Sequence, residues 1–501
     1  MPTRILITLF AISTLLPAQR TNVVSGHKYP RIVVRGAYVV DGSGTPMAGP
    51  KDIVIENNMI TDVVPLDGVA LARGDARRPA GDIEIDATGK YVLPGLIDAH
   101  AHTQDERGGV PQPLQYELNV WLSCGITTVR DVGSDTKKTI DLREKSAQGV
   151  VAAPRMFVYP MIGSPKSPDL ARARVREIKN SGADGIKFLG LHRDIMEAAA
   201  DEAHKLGLPI AHHVGVEETN AWDDIKFGTT SIEHWYGIPD AALDEGVQHF
   251  PTNYNYNDEG DRFRYGGHLW REANQEKLGK VLQAMVDAHV AWDPTMSIYE
   301  ASRDLQRSRT VPWFKDYLHP TLEKYFDPNP ANHGSYFTHW TSTDEAYWKE
   351  NYRIWMAALR DFDRRGGLIG VGDDAGFIYS MYGFGLIREL ELQQEAGFPT
   401  LKVIQHATSN NAKILGQEKH LGKVRPGFRA DLIVVNGNPV DDLKVLYPTG
   451  VDVWENGKML HTGGIEWTVK DGIPYHVPEL MKEVKEMVAR DRAQHPTSGG
   501  R

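Results

Sequence analysis

The chain has 501 residues, 41% hydrophobic and 24% charged, with a formal net charge of −10. That length exceeds one small core and suits a large unit plus a smaller one, and the lack of a long basic run argues against nucleic acid as a partner. The single cysteine, Cys124, rules out an intrachain disulfide and a Cys-rich zinc site, and its place in the apolar run Val120–Cys124 reads as packing.

Arg4, the apolar stretch Ile5–Leu16 and then Pro17-Ala18 have the form of a secretory signal peptide, residues 1–18, too short to span a membrane. The mature chain is therefore expected to be exported, periplasmic or secreted. Next come short apolar runs separated by turn residues. Ile32–Val34, Ala37–Val40, Ile53–Ile55 and Ile60–Val64 read as strands, with turns at Asp41-Gly42 and Asn57-Asn58. The same texture returns at Ala430–Val435, Val451–Trp454 and Met459-Leu460, with Asn456-Gly457 as a hairpin turn. The two β-rich ends, 31–92 and 423–475, are expected to form one small β-sandwich domain.

Between them, over 93–422, strands alternate with helices. Tyr91–His100, Thr127–Val132, Met156–Met161, Ile186–Leu189, Pro209–His213, Thr230–His234, Val290–Met296 and Leu368–Val371 are eight candidate strands, the number a closed parallel barrel needs. The expected fold class is α/β, a (β/α)8 TIM barrel. Helices are expected at Asp169–Ser181 and Asp194–Leu206, ended by Gly182 and Gly207. No Gly-rich phosphate loop follows the first strand, which argues against a doubly wound sheet. Long excursions within 250–360 surround strand seven and carry aromatic residues, among them Tyr254, Tyr256, Phe263, Tyr265, Trp270, Trp313, Tyr336, Trp340 and Trp348. The last segment, 478–501, reads as a charged helix followed by a disordered tail from His495.

The chemistry-bearing residues fall at strand ends. His100 and His102 are two apart, so on a strand they point the same way, and two neutral imidazoles at that spacing suit a zinc-class divalent cation. Lys187 lies in the fourth strand, where burial and nearby cations depress its pKa; a neutral amine can take up CO2 and become a bridging carbamate. Strand five ends in His212-His213, of which only one can face inward. Strand six ends in His234. Strand eight carries Asp373-Asp374, a carboxylate position able to bind metal and accept a proton.

Leu93-Pro94-Gly95-Leu96-Ile97-Asp98-Ala99-His100-Ala101-His102, Gly125-Ile126-Thr127-Thr128-Val129-Arg130-Asp131, Thr408-Ser409-Asn410-Asn411-Ala412 and Gly427–Leu432 together resemble motifs of the amidohydrolase superfamily, in its imidazolonepropionase-like and Xaa-Pro dipeptidase-like branch. The resemblance runs from about Ile32 to Thr462. It implies two divalent metal ions, of zinc type. His100, His102 and Asp374 would hold one, and two histidines, one of them His234, the other. N-carboxylated Lys187 and a hydroxide would bridge them. For strand five the family pattern favours His212 as ligand, with His213 as the alternate. The hydroxide would attack the scissile carbonyl, and Asp374 would pass the proton to the leaving nitrogen, Asp373 being the weaker candidate. The substrate class implied is a small molecule or short peptide with an amide bond, a dipeptide or an N-acyl amino acid.

Tyr236, Arg262 and Arg264 are candidate substrate contacts, the arginines for a carboxylate. The aromatic excursions either form a specificity lid or pack outer helices and a homo-oligomer interface. The rival readings are a hydrolase of cyclic amides, a deaminase, and a catalytically dead metal-binding protein. Deaminases of the superfamily usually carry His-x-x-Glu after strand five and lack the lysine, whereas Gly215 and Val216 stand at the Glu position here.

Overall fold

The computed structural model describes residues 23–107, 110–215, 219–255, 257–329, 331–337 and 339–494. The expected signal peptide, Val216, Tyr256 and the tail from His495 lie outside them.

Among the described residues seven parallel strands carry the middle of the chain: β1 (Leu96–Ala101), β2 (Ile126–Asp131), β3 (Arg155–Val158), β4 (Ile186–Leu189), β5 (Ile210–His213), β6 (Ser231–Glu233) and β7 (Ala291–Asp293). They pair in parallel as β3-β2-β1 and β4-β5-β6-β7. Parallel bridges join Met161 to Lys187 and Trp292 to Ile369. Helices fill the connections, among them Pro168–Asn180, capped by Ser167, and Arg193–Lys205. The content is mixed α/β.

The anticipated eighth strand, Leu368–Val371, forms no ladder beyond the Ile369 bridge. Beyond the backbone pairing of Leu368 and Gly370 with Trp292, further backbone groups are met by side-chain amides. Val371 N–H donates to Asn411 Oδ1 at 3.0 Å, and Asn411 Nδ2 donates to the carbonyls of Val371 (2.7 Å) and Ile97 (2.6 Å). Asn410 Nδ2 and Gln393 Nε2 donate to the carbonyls of Ile369 and Gly370, each at 3.0 Å. These amides satisfy groups that a strand ladder would otherwise pair. Asn410 and Asn411 are delivered by the turn of π-helix at His406–Asn410 and the short helix Asn411–Ile414, within the Thr408–Ala412 motif, and Gln393 by the helix Phe384–Glu395. The segment still lies alongside β1, because Ala99 N–H donates to Val371 O at 3.0 Å and Asp374 N–H to His100 O at 2.9 Å.

The expected strand Tyr91–His100 divides at Gly95. Tyr91–Pro94 joins a sheet built from both chain ends, and β1 joins the middle. A Cβ on Gly95 would sit 2.2 Å from Thr127 Oγ1, so a side chain there is sterically barred. The end sheet runs Ile473–His476, Ile465–Lys470, Leu432–Val435, Tyr91–Pro94, Arg31–Val39, Ala48–Glu56, Met59–Pro65, with Ile83–Asp86 also on Arg31–Val39. The two short strands expected over 32–40 are one strand with a register shift after Val34. Ile32, Val34, Ile53, Ile55, Leu432 and Val434 pack its core. The hairpin Val451–Glu455/Lys458–Thr462 pairs with itself and not with this sheet. Its turn residues Asn456 (φ 51°) and Gly457 (φ 77°) take the left-handed conformation that a two-residue hairpin loop demands.

The final helix, Val477–Gln494, buries Leu480, Met481, Val484 and Val488 and packs on the helix Leu114–Ser123, so it is amphipathic and docked. Many rings of the excursions are buried. Trp270 lies between Trp292 and Trp355, with ring centroids 6.3 Å from each, and Trp235 and Trp348 extend the buried stack. Aromatic rings of this size bury about 150–250 Å2 apiece, so this wall contributes a large apolar area to the core. Among the described residues no helix is long and apolar enough to cross a membrane.

Candidate metal centre

A cavity of about 460 Å3 opens at the C-terminal ends of the middle strands, lined by His100, His102, Lys187, His213, His234 and Asp374. His102 Nε2 is 3.0 Å from Asp374 Oδ1, while His100 Nε2 and His234 Nε2 lie 3.8 Å from the Asp374 carboxylate. His100, His234 and Asp374 offer donor atoms that all lie within 4.8 Å of one another.

Strand register decides which side chains enter. Lys187 stands opposite Ala211 across the β4–β5 pair, so Lys187, Ala211 and His213 share the inner side. His213 lines the cavity and its ring centroid is 4.6 Å from that of His234. His212 points the other way. Its Nδ1 is 2.7 Å from Asp224 Oδ1 and its ring meets Phe188 edge-on, in a fully buried pocket under the helix Ala221–Phe227. The expectation that favoured His212 is corrected here: alternation along β5 leaves His213 as the one histidine of the pair in the cavity.

Two of these side chains reach the cavity by leaving regular strand geometry. Ser231 and Glu233 face inward on β6, so alternation alone would turn His234 outward; its left-handed backbone, φ 64°, brings it back. Asp374 does the same at φ 47°. Non-glycine residues held there cost on the order of 1 kcal/mol or more each, and such strain gathers at functional sites. Asp373 is buried away from the cavity, with its Oδ1 accepting from Ala375 N–H at 3.0 Å and its amide donating to Asp98 Oδ1 at 3.3 Å.

The electrostatics suit a cation. Burial and the charge of Lys187 lower His100 to about 4 and His213 to about 3, and burial with the neighbouring imidazoles drives His234 well below its ordinary value. These imidazoles are therefore neutral and have lone pairs to give. Burial raises Asp374, but His100, His102 and Lys187 outweigh it and hold the carboxyl ionised. Burial lowers Lys187 to about 8. Its Nζ, like Nδ1 of His213, is buried with no hydrogen-bond partner among the described residues. Neutral imidazoles, one carboxylate and an orphaned amine fit a divalent metal centre whose ligand set includes a lysine able to change its charge.

Behind this layer stand residues that the sequence reading does not single out. Glu233 Oε2 is 2.7 Å from His100 Nδ1, and Arg130 Nη2 donates to both Glu233 oxygens at 2.7 and 2.9 Å. Thr295 Oγ1 is 2.5 Å from His234 Nδ1. An arginine inside the parallel strand β2 was the available signal, because a buried guanidinium requires a buried anion.

Of the candidate substrate contacts, Tyr236 and Arg262 line the cavity, with Glu259, Phe263, Ile298, Tyr299, His333, Phe377 and Ile378. Arg264 does not. Two residues further along the helix Glu259–Gly266 the side chain projects about 200° away, and Arg264 Nε instead donates to Asp344 Oδ1 at 2.7 Å, near the start of the helix Ser342–Arg364.

Residues 91–249 and 351–487 match the Amidohydrolase family, more than half of the chain, and the chain belongs to that family. Among curated relatives, a dihydroorotase of Trichlorobacter lovleyi is 27% identical over 222 residues, 42% of this chain and 49% of that protein. A D-aminoacylase of Alcaligenes xylosoxydans xylosoxydans is 22% identical over 240 residues, 41% of this chain and 47% of that protein. The chain thus spans about half the length of these curated relatives. The crystal structure of a Xaa-Pro dipeptidase with bound methionine in the active site is similar in fold, with a TM-score of 0.61 and 22% identity, covering 89% of this chain and all of that one.

Proposed function

We propose that this protein is a binuclear metal-dependent hydrolase of amide bonds, acting on dipeptides or N-acyl amino acids. One observation carries the reading: His100, His102, His213, His234, Asp374 and the buried Lys187, whose Nζ has no hydrogen-bond partner among the described residues, converge on one cavity. In this reading residues 93–422 form a (β/α)8 barrel, closed where Ala99 and His100 meet Val371 and Asp374, and 31–92 with 423–475 form a second, β-sandwich domain. His100, His102 and Asp374 would hold one divalent ion and His213 and His234 the other, with Lys187 as its carbamate shared between them; zinc is the cation these donors favour.

When bound, such ions supply the Lewis acidity that polarises a scissile carbonyl and acidifies a water. The chain's own groups do the rest. Asp374 takes a proton from the attacking water and delivers it to the leaving nitrogen. Burial holds the Tyr236 phenol well above its ordinary pKa, so it remains a hydrogen-bond donor to the substrate carbonyl. Arg262 pairs with a substrate carboxylate, and Phe263, Ile298, Phe377 and Ile378 enclose an apolar side chain.

The similarity to a dihydroorotase favours a second reading, a cyclic amide as substrate. A panel of dipeptides, N-acyl amino acids and cyclic amides, offered to zinc-loaded protein and to His100→Ala, separates the two. Turnover of linear amides that is lost in the variant is expected. Turnover of cyclic amides alone overturns the substrate assignment, and no turnover of any amide by fully loaded protein overturns the enzyme.

A further inference from the structure

Glu233 and Arg130 are fully buried side chains beneath the metal-type layer. Arg130 binds three things at once. Its Nη2 holds the Glu233 carboxylate, its Nη1 donates to Ser231 Oγ at 2.8 Å, and its Nε donates to the carbonyl of Ala99, the residue before His100. Ser231 in turn donates to Glu233 Oε1 at 2.5 Å. Oε1 thereby accepts from both Arg130 and Ser231, and Oε2, which also accepts from Arg130 at 2.9 Å, faces His100 Nδ1 at 2.7 Å.

A carboxylate only accepts, so the proton between Oε2 and His100 must sit on Nδ1. The lone pair of His100 then lies on Nε2, the atom that faces Asp374 across the cavity. The corresponding contact at His234 is a hydroxyl, Thr295 Oγ1, which can donate or accept and so imposes no tautomer.

We infer that Glu233, locked by Arg130 and Ser231, is a positioning residue that holds His100 as its Nδ1–H tautomer and thereby sets affinity for the cation that His100 binds. The inference rests on the proposed metal centre for its consequence, though the tautomer itself is a property of the metal-free protein.

Glu233→Gln is the discriminating variant because it preserves shape. With its carbonyl oxygen at the Oε1 position, where Ser231 and the shorter Arg130 contact (2.7 Å) donate, its NH2 group stands against His100 Nδ1 and the longer Arg130 contact (2.9 Å). That forces the proton onto Nε2 and removes the lone pair from the cavity. Zinc affinity, measured by competition with a chromophoric chelator in the absence of substrate, is expected to fall about 10–100-fold, the usual range for loss of such a partner, with Glu233→Asp recovering part of it. Unchanged affinity in folded Glu233→Gln overturns the inference. Independently, long-range 1H–15N spectra of metal-free wild-type protein labelled on histidine, with His100 assigned by His100→Asn, should show the Nδ1–H tautomer. Finding Nε2–H there overturns it even if Glu233→Gln fails to fold. Because neither readout uses an amide substrate, failure of the hydrolase reading leaves both results interpretable.

Discussion

The rings of His213 and His234 meet edge to face on the cavity wall, centroids 4.6 Å apart at 70°. Their neighbour His212, one residue away, is bonded to Asp224 on the opposite side of β5. His213→Ala is therefore expected to lose at least tenfold in zinc affinity while its melting temperature in metal-free form barely changes. His212→Ala should show the opposite pattern, keeping its metal but losing about 1–3 kcal/mol of stability, since Asp224 is left buried with one partner fewer. Elemental analysis and thermal unfolding of both variants check this, and reversal of the pattern would return the ligand role to His212.

Lys187 supplies the second test. Lys187→Ala should bind less than the two equivalents of zinc expected for wild type, and a small carboxylic acid should restore part of the deficit by replacing the carbamate. Lys187→Arg should not recover it, because guanidinium stays cationic and cannot take up CO2. Metal content at a fixed bicarbonate concentration is the measurement. Two full equivalents in Lys187→Ala would end the proposal.

Asn411 stands in for a strand ladder. Asn411→Leu removes three buried hydrogen bonds at once and leaves the amide and carbonyl of Val371 and the carbonyl of Ile97 without that partner. A loss of about 2–4 kcal/mol follows from the cost of unpaired buried groups. Val371 also pairs with Ala99, beside His100, so zinc affinity should fall with stability. Chemical denaturation and zinc titration on the same sample test the link.

The two arginines of one helix separate in the same way. Arg262→Ala should raise KM severalfold for substrates with a free carboxylate and leave their amidated analogues unaffected. Arg264→Ala should leave KM unchanged and cost stability, through loss of its contact with Asp344 near a helix N-terminus. Equal effects on both substrate types would remove Arg262 from substrate recognition.

A pH effect is expected far from the cavity. Asp52 is buried, which pushes its carboxyl up, but Arg78 (Nε 2.8 Å from Oδ2), the Gly36 amide (2.9 Å) and Arg35 (3.2 Å) outweigh burial and lower it overall. A carboxyl whose folded pKa lies below its unfolded value of about 3.9 contributes stability above that pH and loses it as pH falls toward the folded pKa. Asp52→Asn should thus be less stable than wild type by about 1.5–3 kcal/mol at pH 7, and the gap should narrow from pH 4 downward. Denaturation across pH 3–7 reads it directly.

Much of this protein is legible in its residue order. The His100/His102 pair, the strands at both chain ends, the Asn456-Gly457 turn and the alternation through the middle follow from periods of two and 3.6 and from turn chemistry, which act over a few residues. Tertiary structure decided the rest. His213 rather than His212 faces the cavity because the register of β5 against β4 selects one parity, and register is a relation between strands. His234 and Asp374 enter through left-handed backbone that no periodic pattern foretells. The expected eighth strand keeps a single bridge, to Trp292, and its Val371 N–H pairs with Asn411, an amide some forty residues further along the chain. Arg130 and Glu233, 103 residues apart, found each other only in the folded interior, where a charge must meet its opposite or remain unburied.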